Sequence, residues 1–411
     1  MKISEPFQQM RTPRVTRRGF LEGASALVTA AAVTTPARAA SGDVIAYVGA
    51  ATSVPRNTGG IYSYYVNQSD GTLTPKGALT NILNPNYLVI HPNKKWMYAV
   101  NSIANFAGTT NGSVTALSVD QGTGDLSIMN VVNARGGGTT HVSVDPSGKW
   151  VFVANYGGRN AAVLPILADG SLGEATDVVE ITGPLGPRRA HDGPVGSYAD
   201  SGHDTTHPHM AQTDPDGNFV FIADLGTDRV FIYKFDKVNG KLSPNDQPYL
   251  QASPGAGPRH FVFHPNRRWA YVLNEESSTV LFAAYDAAKG TLEIKQSSYN
   301  VPEGFAGTNY PSAIKLSSDG RYLYTANRNF NSIAIYEINA EGWMIRVGDE
   351  WTRGHYPFDI ALDPSGNFMY AMNTNNDCVT SFRVDRITGK LNFTGQFVPV
   401  SIPRVMVFLT L

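Results

Sequence analysis

An eleven-residue phrase returns six times along this chain of 411 residues. It reads His91-Pro-Asn-Lys-Lys-Trp-Met-Tyr-Ala-Val-Asn101, Asp145-Pro-Ser-Gly-Lys-Trp-Val-Phe-Val-Ala-Asn155 and Asp214-Pro-Asp-Gly-Asn-Phe-Val-Phe-Ile-Ala-Asp224. It then returns as His264-Pro-Asn-Arg-Arg-Trp-Ala-Tyr-Val-Leu-Asn274, Ser317-Ser-Asp-Gly-Arg-Tyr-Leu-Tyr-Thr-Ala-Asn327 and Asp363-Pro-Ser-Gly-Asn-Phe-Met-Tyr-Ala-Met-Asn373. Each copy is a polar turn feeding an apolar, aromatic strand. The starts lie 54, 69, 50, 53 and 46 residues apart. Self-similarity at such a period means one supersecondary unit repeated and packed against its own copies. A second phrase, an alternating strand, a turn and a Gly-x-Leu, has strands centred on Ile61, Val114, Val163, Val230, Val280, Ile333 and Val379. A short apolar strand precedes each turn: Tyr87–His91, His141–Asp145, Met210–Asp214, Phe261–His264, Ala313–Leu316 and Asp359–Asp363.

The two ends complete each other. Residues 44–50 look like the second strand of a unit without its first, and residues 402–409 look like a first strand with no unit after it. Joined, they make a seventh unit of about 53 residues with four short strands, the size of a propeller blade. The expected fold is therefore an all-β, seven-bladed β-propeller of four-stranded blades, closed by pairing the C-terminal strand with the N-terminal blade. Closure limits the exposed strand edges that an open stack of blades would present. The 40 Gly and 25 Pro agree with many tight turns, and 42% hydrophobic against 16% charged residues gives a core and argues against disorder. A net charge of -1 argues against a nucleic-acid binder, which needs a basic face. The lone Cys378 excludes an intrachain disulfide and a thiolate metal cluster, and its mid-strand setting predicts ordinary packing.

Residues 1–40 read as a targeting segment, with residues 41–411 as the propeller domain. Thr16-Arg17-Arg18-Gly19-Phe20-Leu21 resembles a twin-arginine export motif, followed by a mild Ala/Thr/Val stretch and the small-residue site Ala37-Arg38-Ala39. The stretch is too short and weakly apolar for a membrane span. The expected partner is the twin-arginine export machinery and the expected destination is the periplasm or the medium.

In a propeller the start of strand one and the end of strand two emerge at the same end of the channel. Strand-one starts supply Asn86, Thr139, Thr140, His141, His207, His209, Arg259, His260, Ser312, Phe358 and Arg404. Strand-two ends supply Asn101, Asn155 with Tyr156, Asp224, Asn274 with Glu275, Asn327 with Arg328, and Asn373. Arginines, a carboxylate and histidines thus converge on one pocket. The recurring Asn, and Asp224 at the same place, also read as turn caps. An Arg259–Glu275 salt bridge would equally serve to close the channel, and His141 and His260 would bond locally. The long blade interval 145–214 places its excess in Gly183–Thr206, a lid or specificity element over the mouth. His203-x-x-x-His207-x-His209 admits a metal reading, but no regular spacing orients those residues, and no metal is expected.

Asn155-Tyr156-Gly157-Gly158, His207-Pro208-His209, Asp224-Leu225-Gly226-Thr227-Asp228-Arg229, Gly255-Ala256-Gly257-Pro258-Arg259-His260, Leu273-Asn274-Glu275 and Ala326-Asn327-Arg328 resemble the propeller lactonase family. That family includes the bacterial propeller-type 6-phosphogluconolactonase and the fungal 3-carboxymuconate cyclase, and the resemblance covers essentially all of 44–411. It implies a cofactor-free enzyme that opens, or less commonly forms, a small-molecule lactone. Its catalytic motif positions fall on His207 or His209, Arg259, Glu275 and Arg328. We take His209, Arg259, Glu275 and Arg328 as catalytic, and His207, Asn155, Tyr156, Asp224, His260 and Asn274 as substrate-binding. Tyr356-Pro357-Phe358 departs from the pattern, which leads one to expect an Arg after the Pro as an anion contact. The alternative is a non-catalytic exported propeller binding a ligand or protein on its channel face.

Overall fold

In each unit the repeated turn is built by its first residue. Asp145 accepts the backbone N–H groups of Lys149 and Trp150, both at 2.8 Å, and Asp214 accepts those of Asn218 at 2.7 Å and Phe219 at 2.8 Å. His91 and His264 do the same with Nδ1, taking the N–H of Asn93 at 3.0 Å and of Asn266 at 3.1 Å. Their Nε2 then carries the proton and donates to the carbonyls of Gly148 and Gly320 in the next unit, at 2.9 and 3.1 Å. The turn residue thus fixes its own strand and also bolts one unit to the next.

The computed structural model describes residues 42–52, 59–200 and 202–411. Residues 1–40, read from the sequence as a targeting segment, lie outside the described residues. Those described form seven antiparallel sheets of four strands each. The first blade is assembled from both ends of the chain, in the order Pro403–Thr410, Val44–Ala50, Gly60–Val66, Leu73–Leu79. The inner strands of the other six are Pro85–Ile90, Thr139–Val144, Pro208–Thr213, Pro258–Phe263, Pro311–Leu316 and Pro357–Leu362. These neighbour one another in turn, and Pro403–Thr410 lies between the last and the first of them, so the ring closes. The seven-bladed expectation and its closing strand are both met. Those six inner strands begin two or three residues earlier than the sequence pattern placed them, because an irregularity at the start breaks the apolar alternation, whereas the closing strand begins one residue later than expected. Among the described residues no helix is long and apolar enough to cross a membrane.

The core is seven separate layers, each between two adjacent blades. Fully buried tyrosines on the second strands span these layers. Tyr47, Tyr98, Tyr271, Tyr324 and Tyr370 donate to the carbonyls of Gly124, Gly170, Gly342, Gly389 and Gly71, at 2.6 to 3.0 Å. These are the glycines of the Gly-x-Leu phrase, which becomes Gly342-Trp343-Met344 in one copy. Gly71 has φ +77, and a Cβ there would stand 2.4 Å from the Phe368 ring of the adjacent blade. Glycine is needed both for the left-handed turn and for the aromatic that covers it.

Candidate active site at the channel mouth

Every inner strand opens with the same device. Its first residue, Pro in six blades and Thr139 in one, pairs with the end of strand two, and the register then slips. A bulge leaves the second residue unpaired and re-aims its side chain. The residues so released are Asn86, Thr140, His209, Arg259, Ser312, Phe358 and Arg404. Proline suits the first place because it has no N–H to leave unpaired. The residue before it is held at positive φ in Tyr310 (54°), Tyr356 (61°) and Ile402 (49°), strained settings for bulky side chains. Two of these tyrosines flank Arg328, whose guanidinium lies 5.6 Å from the Tyr310 ring centre and 5.2 Å from that of Tyr356.

Arg259, Glu275 and Arg328, separated in sequence and carried by three chain segments, meet as one cluster. Glu275 Oε2 lies 2.6 Å from Arg259 Nε, and its Oε1 lies 2.6 Å from Arg328 Nη2. Arg328 Nε donates to the Tyr310 carbonyl at 2.6 Å, and Arg259 Nη1 donates to the Ser312 carbonyl. Arg259 is 1% exposed, so its charge is held almost wholly by these contacts. Burial pushes its pKa down to about 10 even beside Glu275. One carboxylate bridging two guanidiniums fixes both planes.

The histidines divide into two kinds. His207 has both nitrogens engaged, Nδ1 with the Tyr156 carbonyl at 3.1 Å and Nε2 with Asp204 at 2.7 Å, and its ring stacks on Tyr156 with centroids 3.9 Å apart. His209 turns Nδ1 to His260 Nε2 at 3.2 Å, and its Nε2 has no hydrogen-bond partner among the described residues. Burial and the positive charges of Arg259 and Arg328 hold His209 well below the usual histidine range, so it is neutral at pH 7. His260 is lowered first by burial and then by the charge of Arg259, and His141 is pushed down to about 3, first by burial.

The remaining candidates are placed in the blades. Asn155 is fully buried; its amide donates to the Ala134 carbonyl at 2.7 Å and to Asn160 at 2.8 Å, and its oxygen accepts from Thr139 at 2.8 Å. Asn274 donates to Thr279 at 2.9 Å, and Asp224 accepts the Thr227 N–H at 2.8 Å and hydroxyl at 2.7 Å. All three sit where strand two ends and brace the next turn. The segment 183–206 is pinned rather than loose. Gly186 N–H donates to the Gly226 carbonyl at 2.8 Å, His191 N–H to that of Pro254 at 2.9 Å, and Gly307 N–H to that of Val195 at 2.7 Å. His203 pairs with Asp228 at 2.9 Å. The described residues of this segment are therefore tied to loops of three successive blades. His203 and His207 have separate carboxylate partners, Asp228 and Asp204, and among the described residues no three His, Cys, Asp or Glu side chains gather as a metal site.

The family model of the seven-bladed β-propeller lactonases matches residues 45–408. The chain belongs to that family. This lactonase-family chain is 31% identical over 366 residues to the 6-phosphogluconolactonase of Bacillus subtilis (strain 168), covering 89% of this chain and 98% of that protein. It is 30% identical over 354 residues to the 6-phosphogluconolactonase of Formosa agariphila, with 85% and 95% covered. Among solved structures it resembles the periplasmic gluconolactonase of Pseudomonas aeruginosa, with a TM-score of 0.78, 29% identity, and 89% and 99% of the two chains covered. It is a lactonase-like hydrolase.

Two features of the lactonase site were missed by sequence reasoning. Tyr310 and Tyr356 flank Arg328, and the signal for them was the X-Pro step repeated before each inner strand. Glu276, next to Glu275, is 1% exposed, and neither of its carboxyl oxygens has a hydrogen-bond partner among the described residues. Burial, and then the charge of Glu275, push its pKa up to about 9 from an ordinary value of 4.5. Between these values the folded chain holds a proton that the unfolded chain has released, so this group's contribution to stability is lost as pH rises toward 9. Glu276→Gln, which cannot titrate, should gain stability relative to wild type from pH 5 to pH 9, by about 1.4 kcal/mol per pH unit at most. Thermal melts of the two proteins across that range check it; parallel pH curves would show that Glu276 does not keep its proton.

Proposed function

We propose that this chain hydrolyses a sugar lactone of the gluconolactone type outside the cytoplasm. The observation that carries the reading is one neutral histidine with a free Nε2, set in a cluster where a single carboxylate holds two guanidiniums. Lactone opening requires a base for water and positive donors where the carbonyl oxygen gains charge. His209 Nε2 takes a proton from water as the water oxygen bonds to the lactone carbonyl carbon. Arg259 and Arg328 stabilise the tetrahedral oxygen. The ring C–O bond then breaks, and the proton returns from His209 to the departing alkoxide, giving the hydroxy acid. Glu275 orients both arginines, and His260 holds the His209 ring through Nδ1. No step calls for a cofactor. The names of the Bacillus and Formosa relatives support a gluconolactone-type ring, and that of the Pseudomonas relative supports both that ring and an extracytoplasmic site, in keeping with the twin-arginine motif at Arg17-Arg18.

Purified protein offered glucono-1,5-lactone and its 6-phosphate should release acid, followed with a pH dye and corrected for spontaneous opening. Release should be indifferent to chelator. His209→Gln should lower kcat by about 10²–10⁴-fold, the usual worth of a positioned base. Because His209 stays neutral below its ordinary value of 6.5, wild-type kcat should hold as pH falls through 6.5 and decline only below it. Acid release unaffected by His209→Gln would exclude it as the base, and no release from any lactone would leave the channel a binding surface.

A further inference from the structure

Arg404 opens the ring-closing strand, and the bulge opposite Ala50 releases it toward the channel as it does its counterparts in the other blades. Its guanidinium carbon stands 4.3 Å from the centre of the Phe358 ring, and Arg259 lies 5.5 Å from the same ring. Among the described residues no carboxylate pairs with Arg404, and its buried Nε has no hydrogen-bond partner. Burial pushes its pKa down to about 10, with the charge of Arg328 adding in the same direction.

The inventory of charge at the mouth is uneven. Among the described residues three guanidiniums, of Arg259, Arg328 and Arg404, stand with one ionised carboxylate, Glu275, which is shared by the first two, while the neighbouring Glu276 keeps its proton. A developing oxyanion is a single negative charge and exists only during reaction, so it leaves the third guanidinium without a counter-charge. A buried cation without a partner is costly, and contact with one aromatic face offsets only part of that cost. The sequence also showed Phe358 where the family pattern leads one to expect an arginine. The closing strand brings a guanidinium to that place from the next blade, laid over the Phe358 ring.

We propose that Arg404 is a specificity-determining residue that binds a permanent acidic group, carboxylate or phosphate, carried by the lactone at a position away from its ring carbonyl. The planar fork suits either oxyanion, and Phe358 keeps one face of that plane covered so that an edge remains for the ligand. The assignment rests on the lactonase reading for the identity of the ligand. Its binding test does not need turnover.

Calorimetry should compare gluconate, which has one carboxylate, with 6-phosphogluconate and with glucarate, which add a phosphate and a second carboxylate respectively. The wild-type protein should bind at least one of the doubly charged acids about tenfold or more tighter than gluconate, a preference worth about 1.4 kcal/mol. The arm that shows the preference names the group. Arg404→Gln should abolish the preference, and Arg404→Lys, which keeps the charge and loses the fork, should restore part of it. The same variants should shift the selectivity for acidic over neutral lactones through KM rather than kcat. Equal binding of all three acids by wild type, or a preference that survives in Arg404→Gln, overturns the assignment. Absence of lactone turnover with the preference intact would instead overturn the hydrolytic reading and keep the anion subsite.

Discussion

Arg259→Lys should lose about 10²–10³-fold in kcat, the cost of removing one preorganised oxyanion donor, while the protein remains folded. The guanidinium does several things at once: Nε meets Glu275 at 2.6 Å, Nη1 donates to the Ser312 carbonyl, and its carbon lies 5.5 Å from the centre of the Phe358 ring. A lysine ammonium is a point charge with no fork, so it can satisfy Glu275 or the Ser312 carbonyl but cannot also present a fixed donor to the channel. Lysine is the informative replacement because it leaves Glu275 with a charged neighbour. Methionine would remove one of the two cations that hold a buried carboxylate, and lost stability would then confuse the comparison. The defect should deepen as pH rises. Burial already pushes the Arg259 pKa down to about 10, and a lysine starts from a lower ordinary value, so in the same place it sheds its proton sooner. Initial rates at pH 6 and pH 8, with melting curves as the control for folding, test both parts. A folded variant with wild-type kcat would remove Arg259 from the reaction.

The chain could be read as a ring because blade contacts are local and periodic. The same Asp or His builds each turn, and the same Gly accepts each tyrosine, so one phrase seen six times revealed the fold. The charged cluster was accessible by the same route, since Arg259, Glu275 and Arg328 occupy repeat positions whose end of the channel is set by topology. What did not follow was which polar residue at a repeat position turns inward. Asn155 and His207 have their polar groups satisfied by their own and neighbouring loops, and only coordinates distinguish them from His209. The start of each inner strand was also obscured, because a bulge breaks the period of two on which strand reading depends. Those irregular starts are what aim the arginines and His209, so the place where the sequence pattern fails is the place where the site is made. Glu276 was hidden for another reason. Its high pKa comes first from burial and then from the adjacent Glu275, and how deeply a side chain is buried by distant segments is not written in a local pattern.

Removing residues 403–411 should abolish cooperative folding, a larger effect than any single substitution. The closing strand pairs with Val44–Ala50 along seven positions, from Val44 with Thr410 to Ala50 with Pro403. Without it Val44–Ala50, buried at every residue, becomes an open edge on the channel side of the first blade. Val405, Met406 and Leu409 are buried in the layers toward the two neighbouring blades, and exposing three such side chains costs about 5–9 kcal/mol. That is comparable with the whole stability of an ordinary domain. The truncated chain should lose its sharp denaturant transition. A peptide of residues 402–411 supplied in trans should recover part of it by adding the missing strand to the edge. Connectivity, as distinct from the strand, should be dispensable. Leu411 N–H donates to the Asp43 carbonyl at 3.0 Å and Gly42 N–H donates to the Leu411 carbonyl at 2.8 Å, so the ends of the propeller already touch. A circular permutant that joins 411 to 43 and opens in the exposed turn at Val238–Asn239 should therefore fold as the native ring does. If the truncated chain instead kept the wild-type midpoint and slope, the six remaining inner strands would suffice, and closure by the chain's two ends would not be what holds the propeller together.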